Sequence, residues 1–174
     1  MNTLEVGKPK LYIMCGLAFS GKTTLASKIA SHTNSVLISF DTLWAESEKK
    51  NLIREPNDGW KYIRKLAQGQ IIKTLSSGRS AVYDDTNVRF EHREEIRVVV
   101  SKIGIKTVLV YLETPIKIIL QREAENKITR GRHEVDSINF KNAIDQFQAP
   151  TDGESFISFR PGDNIDNWLQ YLEN

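Results

Sequence analysis

The segment from Gly16 to Thr23 constrains the fold of this chain more than any other feature. It reads GLAFSGKT, with two glycines separated by four residues. A short apolar run, residues 11–15, precedes it, and a stretch of helix-forming composition, residues 22–30, follows it. Glycines let the backbone turn sharply and approach a ligand without a Cβ in the way. The pattern therefore predicts a buried strand, a glycine-rich loop and a helix in immediate succession.

This octamer fits the phosphate-binding P-loop, G-x-x-x-x-G-K-[ST]. In such a loop, backbone N–H groups and the positive end of the following helix converge on the phosphates of a nucleotide. We expect Lys22 to bridge the β- and γ-phosphates of ATP and the Thr23 hydroxyl to coordinate Mg²⁺. The alternative is a glycine turn that binds nothing. The predicted ATP-binding residues of the loop are Gly16, Leu17, Ala18, Phe19, Ser20, Gly21, Lys22, Thr23 and Thr24.

The rest of the chain alternates between short apolar strands and helical periodicity. Further strands are predicted over residues 35–40, 80–83, 105–112 and 155–159. Helices are predicted from residue 41 through the 40s and over 56–78, 91–102, 115–125, 138–147 and 165–172. Such alternation predicts an α/β fold with three layers, in which helices cover both faces of a parallel sheet. Ligands of these sheets bind at the carboxyl ends of the strands. With 174 residues, the chain is expected to form one domain.

Composition narrows the function classes. The net charge of +2 is too small for a general affinity for duplex nucleic acid. No apolar run approaches the ~20 residues that span a bilayer, so we expect a cytoplasmic protein without membrane contacts. A single cysteine, Cys15, agrees with a reducing compartment.

Two carboxylates follow strands that end at the edge where the P-loop is expected. Asp41 follows the second strand and could accept the proton of a substrate hydroxyl, or could simply cap the next helix. Asp84 follows the third strand and is the favoured Mg²⁺ ligand. Asp85 is the alternative ligand, and a turn stabilised by these side chains is the non-functional interpretation.

A basic stretch, residues 126–133, is the best candidate for a mobile loop. Arginines that close over the phosphates stabilise the charge of the transferring group and exclude water. We therefore predict a lid over about residues 123–135, with Arg122, Arg130 and Arg132 among its cations. A solvated basic loop is the alternative.

Several classes of nucleotide-binding protein are disfavoured. Asn126-Lys127 is followed by Ile128-Thr129, so the guanine-reading motif of signalling GTPases is not formed. The residues 75–79, LSSGR, imitate a transporter-ATPase signature but precede the third strand and fit a helix end better. The chain is also short for AAA+ machines, which carry an additional helical domain.

Taken together, these residues resemble the small P-loop kinases, including the AAA-type predicted kinases, that are related to phage-type polynucleotide 5′-hydroxyl kinase. The resemblance rests on the P-loop, on Asp41, on Asp84-x-Thr86-Asn87 followed by Arg93, and on residues 147–154. It implies ATP, Mg²⁺, a five-stranded sheet of order 2-3-1-4-5 and phosphoryl transfer to a hydroxyl. It also implies that Asp41 is the base, that Arg122 flanks the adenine and that Arg130 or Arg132 is a catalytic lid residue. Thr86, Asn87 and Arg93 would line the acceptor pocket.

Three functions remain open on the sequence alone. The first is a kinase for a small hydroxyl-bearing molecule. The second is a polynucleotide 5′-hydroxyl kinase, whose substrate backbone would follow a basic patch, and the third is an ATP-binding regulatory module that acts through a protein partner. The sequence does not determine the oligomeric state. The residues of the basic patch are Lys49, Lys50, Arg54, Lys61, Arg64 and Lys65.

Overall fold

The computed structural model describes residues 8–53, 56–131 and 135–172. Five parallel strands form one sheet in the order β2-β3-β1-β4-β5, as the resemblance implied. Within these ranges, no helix combines the length and apolar character needed to cross a membrane. The strands are β1 (Lys10–Cys15), β2 (Val36–Ser39), β3 (Ala81–Asp84), β4 (Lys106–Leu112) and β5 (Phe156–Phe159).

The helices follow the predicted alternation, with one informative difference. The helix that was predicted to end near residue 125 continues for one more turn and ends at Thr129. A contact between Glu123 and Lys127, four residues apart at 2.5 Å, supports the added turn. Residues 123–129 of the predicted lid are therefore helical. The helices are α1 (Lys22–His32), α2 (Phe40–Lys49), α3 (Pro56–Ser76), α4 (Phe90–Ser101), α5 (Ile116–Thr129), α6 (Ser137–Asp145) and α7 (Ile165–Leu172).

The three layers follow from the alternation of side chains along β1. Leu11 and Ile13 point into one apolar core, which α2, α3 and α4 complete. Tyr12 and Met14 point into a second core on the other face of the sheet, which α1 and α7 complete. Burial on both faces explains why β1 reads as an uninterrupted apolar run.

A third, smaller cluster lies under the glycine loop. Leu17 and Phe19 of the loop pack with Val88, Ile119 and Phe140. The rings of Phe19 and Phe140 meet edge to face with centroids 5.6 Å apart. Phe19 has a φ of 63°, a left-handed conformation that is uncommon for a residue with a side chain. Apolar contacts of Leu17 and Phe19 thus hold the glycine loop against the rest of the protein.

A buried ion pair joins α4 to the segment before β5. Arg93 is 1% exposed and Glu154 is 7% exposed. Arg93 donates to both carboxylate oxygens of Glu154, and its Nη1 also donates to the carbonyl oxygens of Asn87 and Gln148 at 3.0 Å. This network ties the turn after β3 to the chain that enters β5.

The pKa of Cys15 leads to a prediction about thiol reactivity. Burial raises the pKa of this thiol to about 12, although the charges of Arg93 and Lys22 act in the opposite direction. Because the thiolate is the reactive form, native protein at pH 8 should not react with a disulfide reagent, whereas the unfolded chain should react completely. Spectrophotometric thiol titration with and without denaturant checks this. Rapid, complete labelling of the native protein would contradict the described burial.

Candidate active site

The sheet brings three separate segments to one edge. Ser39 of β2 pairs with Asp84 of β3, so Asp41 and Asp84 lie beyond the same ends of adjacent strands. β1 lies next to β3, and the glycine loop continues from its carboxyl end. The Gly16 N–H donates to the Thr86 carbonyl at 3.1 Å, which joins the loop directly to the turn after β3.

The glycine loop has the backbone conformation that its sequence requires. Gly21 precedes the first residue of α1 and has a φ of 103°, which side chains strongly disfavour. A Cβ on Gly16 would lie 3.1 Å from the Ser20 Oγ, so the loop leaves little room there. The Thr114 hydroxyl donates to the Ser20 carbonyl at 3.0 Å. These contacts fix a concave loop at the amino end of a helix, where the macrodipole favours an anion.

Lys22, Thr23 and Asp84 form the charged centre of the site. Lys22 is 8% exposed, and its ammonium donates to the Leu17 carbonyl at 3.2 Å. Burial raises the pKa of Asp84, while the Lys22 charge and a hydrogen bond with the Thr23 side chain lower it; the charge of Asp41 raises it. Lys22, Thr23 and Asp41 therefore all lie within electrostatic reach of one buried carboxylate.

The residues around Asp84 fit a magnesium ion bound together with phosphates. Mg²⁺ prefers oxygen ligands and is usually held by one or two protein groups plus phosphate and water. The Thr23 hydroxyl and the Asp84 carboxylate supply such oxygens side by side. The described residues contain no group of three or more His, Cys, Asp or Glu side chains suited to a metal held by protein alone. The Ser20 Oγ is buried and finds no partner among them, so a polar donor or acceptor is left over beside the loop.

Asp85 is engaged elsewhere, which favours Asp84 as the metal ligand. The Tyr83 hydroxyl donates to Asp85 Oδ2 at 3.0 Å, and the Thr86 N–H donates to Asp85 Oδ1 at 2.7 Å. The Thr86 hydroxyl donates to the same Oδ1 at 3.3 Å. Asp85 thus stabilises the turn that the sequence suggested for this segment.

Asp41 lies in the first turn of α2 and is exposed. The capping residue of this helix is Ser39, whose Oγ accepts a hydrogen bond from the Thr42 N–H at 3.3 Å. The side chain that caps α2 is therefore that of Ser39, and not that of Asp41 as the alternative interpretation proposed. The Asp41 carboxylate is free of that role, and its charge acts on Asp84.

The structure places two of the predicted acceptor-binding residues in the interior. Arg93 makes the buried ion pair with Glu154, and Asn87 is 1% exposed and donates from Nδ2 to the Met14 carbonyl at 2.8 Å. Asn87 also adopts a φ of 46°, typical of asparagine in a tight turn. We assign both to the scaffold that shapes the turn, because both side chains are buried and hydrogen-bonded within the protein. Thr86 is partly exposed and remains at the edge.

The three predicted lid arginines differ in placement. Arg122 of α5 donates from Nη1 to the carbonyls of Phe19 and Ser20, at 3.1 and 3.2 Å, and so braces the glycine loop. Arg130 is exposed just after α5, in a left-handed conformation with φ 49°. Arg132 lies outside the described residues.

A cleft of about 620 Å³ opens beside the glycine loop, and the sequence did not predict its far wall. This wall consists of Phe159, Pro161 and Ile165, at and after the end of β5, and Arg122 also lines the cleft. A cleft of this size accommodates a nucleoside. The wall could not be predicted because its residues converge only when β5 and α7 are placed. The other lining residues are Phe19, Ser20, Gly21, Thr24, Leu25, Leu112, Thr114, Glu125, Asn126, Thr129 and Gly131.

Replacing Gly21 by alanine should weaken nucleotide binding. The φ of 103° is strained for alanine by about 1–3 kcal/mol, so the loop would shift and lose alignment of its N–H groups. We expect about a tenfold or larger rise in the Kd for Mg·ATP, measured by calorimetry. Gly69→Ala is the matched control, because a Cβ at Gly69 in α3 meets nothing within 4 Å. Equal ATP affinity in wild type and Gly21→Ala would contradict this account of the loop.

Comparison with solved structures supports the fold assignment. The Mycobacterium tuberculosis APS kinase, solved with AMPPNP and APS, is 18% identical, with 95% of this chain and 96% of that chain covered and a TM-score of 0.71. Chaetomium thermophilum Kti12, solved with ADP-AlF3, is 15% identical, with 94% and 97% covered and a TM-score of 0.76. A Sinorhizobium meliloti gluconokinase is 16% identical, with 94% and 89% covered and a TM-score of 0.63. At these identities the likeness establishes the fold, a P-loop α/β fold shared with small kinases.

No curated protein matches the chain. A family described as an AAA domain, AAA_33, matches residues 11–150, which include the glycine loop, both edge carboxylates and α5. This match covers most of the chain, including Lys22, Thr23, Asp41 and Asp84. The chain therefore belongs to the AAA_33 family of P-loop AAA domains.

Proposed function

We propose that this protein is an ATP-dependent kinase that transfers the γ-phosphoryl group of ATP to a hydroxyl of a small molecule. The observation that carries the proposal is the arrangement of Lys22, Thr23 and Asp84 at the sheet edge, with the exposed Asp41 within electrostatic reach. The first three residues suit a bound triphosphate. A carboxylate that is free of a capping role suits the neighbouring hydroxyl.

The nucleotide would lie along the glycine loop, with its base in the cleft between Arg122 and the residues after β5. Lys22 would contact the terminal phosphates and stabilise the charge that develops on them during transfer. When bound, Mg²⁺ held by Thr23 and Asp84 would neutralise phosphate charge. Arg130 and Arg132 are proposed as lid cations over about residues 123–135 of a single kinase domain spanning 1–174.

At the acceptor side, Asp41 would orient the attacking hydroxyl and accept its proton. As the new bond forms between the acceptor oxygen and the γ-phosphorus, the bond from that phosphorus to the ADP oxygen breaks, and the hydroxyl proton passes to the Asp41 carboxylate. Thr86 lies beside the same edge and is the remaining candidate for an acceptor contact. The arrangement needs no covalent enzyme intermediate.

A polynucleotide 5′-hydroxyl kinase is the second candidate. Lys49 and Lys50 at the end of α2 and Lys61 and Lys65 on α3 are all exposed, which a phosphodiester backbone would require. Arg54 of the same predicted patch lies outside the described residues. The similarity to an APS kinase and a gluconokinase, both named for small acceptors, favours the small-molecule proposal.

Labelled γ-phosphate transfer to purified acceptors tests the proposal. The panel contains nucleosides, sugars, sugar acids and 5′-hydroxyl DNA and RNA oligonucleotides, each with Mg·ATP and with wild type or Lys22→Met. We expect label on a small molecule, lost in Lys22→Met. Label on oligonucleotides, with binding that weakens steeply in salt, would establish the second candidate. Bound ATP, no labelled acceptor and a partner protein captured only with ATP would favour a regulatory module instead.

A further inference from the structure

An arginine on α3, the helix that packs against α2, has no close ion pair among the described residues. Arg64 of α3 is partly buried, with its side chain 23% exposed. Its Nη2 lies 3.0 Å from His92 Nδ1, and its Nε lies 4.0 Å from Asp85 Oδ2, which is too long for a hydrogen bond. The Nε is buried and has no hydrogen-bond partner among the described residues. Arg64 is therefore held in position but retains uncommitted donors.

The two neighbours of Arg64, His92 and Asp85, do not fully neutralise its positive charge. His92 has a pKa lowered to about 4, first by burial and then by the Arg64 charge, so the ring is neutral near pH 7 and accepts from the guanidinium. The Asp85 carboxylate already accepts three hydrogen bonds from Tyr83 and Thr86. Binding of an additional oxyanion to an arginine in this setting is favourable, because a guanidinium binds carboxylate or phosphate through paired N–H groups.

A second arginine, Arg89, lies within electrostatic reach of His92. Arg89 precedes the first residue of α4, and its charge also acts on the His92 ring. Its guanidinium donates to a neutral acceptor, Gln146 Oε1, with the Nε at 3.1 Å. Among the described residues, both cations thus donate to uncharged side chains, and both stand near the turn that carries Thr86.

Arg64 lies close in the fold to the residues proposed for phosphoryl transfer. Asp85 follows Asp84 directly, and Arg64 contacts Asp85 from α3. Trp60, four residues before Arg64 on the same helix, packs against Trp44 in a tilted arrangement with ring centroids 5.0 Å apart. Trp44 in turn lies three residues after Asp41, on the same side of α2. The helices that carry Arg64 and Asp41 therefore pack together through aromatic rings, and the two residues act on adjacent carboxylates, Asp85 and Asp84.

We propose that Arg64, assisted by Arg89, binds an anionic group of the acceptor, so that the acceptor is a small hydroxyl compound carrying a carboxylate or phosphate. This inference rests on the proposed kinase function and names its substrate class. The anion fixes one end of the molecule at Arg64, while the hydroxyl is presented to Asp41. Arg64 is a binding residue in this scheme.

Anion binding is tested first without any catalysis. Full-length protein is saturated with Mg·AMPPNP to fill the glycine loop, and inorganic sulfate is titrated while the ring resonances of His92 are followed by NMR. We expect a saturable shift in wild type that Arg64→Met abolishes and Arg64→Lys weakens. Arg79→Met, at an exposed arginine between α3 and β3, is the control that should keep the shift. No saturable shift, or the same shift in Arg64→Met, would overturn the proposal.

A second experiment compares phosphorylation of acceptors that differ in charge. Gluconate is compared with glucose and a phosphoglycerate with glycerol, using labelled ATP. We expect the anionic member to be phosphorylated and Arg64→Met to raise its KM about 10- to 100-fold with kcat little changed. Preference for the neutral member, or loss of kcat at constant KM, would overturn the inference. If a 5′-hydroxyl oligonucleotide were labelled and Arg64→Met raised its KM in the same way, the anion site would stand and its ligand would be a phosphodiester.

The two proposals can fail separately. If AMPPNP does not bind or no acceptor is labelled, the kinase proposal fails, whereas the sulfate shift at His92 still reports on Arg64. If label transfer occurs and Arg64→Met affects neither sulfate binding nor KM, only the substrate-class inference fails. Thermal unfolding of Arg64→Met and Arg64→Lys verifies that both variants fold.

Discussion

Asp41→Asn should abolish most phosphoryl transfer while leaving ATP bound. Loss of a general base lowers kcat by about 10²- to 10⁴-fold, and the amide keeps the size of the side chain. Because Ser39 caps α2, the substitution does not remove the cap, and folding should change by no more than about 1 kcal/mol. Initial rates with a phosphorylated acceptor, together with the Kd for Mg·ATP from calorimetry, measure both quantities.

A second acid on the same helix provides the control for Asp41. Glu48 is exposed on α2, and Glu48→Gln removes the same charge farther from the strand ends. This variant should retain wild-type kcat and KM. The role of Asp41 would be refuted if Asp41→Asn kept full kcat, or if both variants lost activity equally.

Glu154→Gln should be among the most destabilising single substitutions in the chain. It leaves the charge of Arg93 buried without a counter-ion, and breaking one side of a buried ion pair costs about 3–5 kcal/mol. Arg97 would also lose its 2.8 Å contact with Glu154. Urea unfolding followed by circular dichroism measures the loss.

Glu94→Gln is the matched control, because Glu94 also pairs with Arg97, at 3.5 Å, but is 45% exposed. Pairs at such positions contribute about 0–1 kcal/mol, so this variant should be nearly as stable as wild type. Similar losses in Glu94→Gln and Glu154→Gln would contradict the described burial of the pair.

The contribution of the Arg93–Glu154 ion pair to stability should depend on pH. Burial alone would raise the pKa of Glu154, but hydrogen bonds from Arg93 and Arg97 hold it below its ordinary value. A carboxyl whose pKa is lowered by folding stabilises the protein above its unfolded pKa and loses that contribution as the pH falls through the folded pKa. Wild type should therefore lose more stability on acidification than Glu154→Gln does.

The order of elements and the position of the nucleotide loop could be predicted because they depend on local patterns. Apolar runs buried on both faces mark strands such as β1, and the spacing of Gly16, Gly21 and Lys22 is set by the geometry of phosphate binding. Parallel strands then require that Asp41 and Asp84 meet at one edge. The longer α5 was missed because the stabilising Glu123–Lys127 contact lies in a stretch without apolar periodicity.

The acceptor side could not be predicted in the same way. Arg93 and Asn87 belong to the motif in sequence, but Arg93 on α4 pairs with Glu154 and Asn87 donates to the Met14 carbonyl of β1, so both lie in the interior. Conversely, Arg64 looked like one cation of a solvated helix face until α3 was placed against β3 and His92. Side chains that converge from distant helices give no local signal, because only tertiary packing brings them together.

Transfer of labelled γ-phosphate from Mg·ATP to the small-molecule fraction of a cell extract tests the central claim most directly. Wild type, Asp41→Asn and Glu48→Gln are compared, with the RNA and protein fractions as separate samples. The account predicts a labelled small anion with wild type and Glu48→Gln, and at least about a hundredfold less with Asp41→Asn. Label that is found only as inorganic phosphate, or equally with all three proteins, would contradict it.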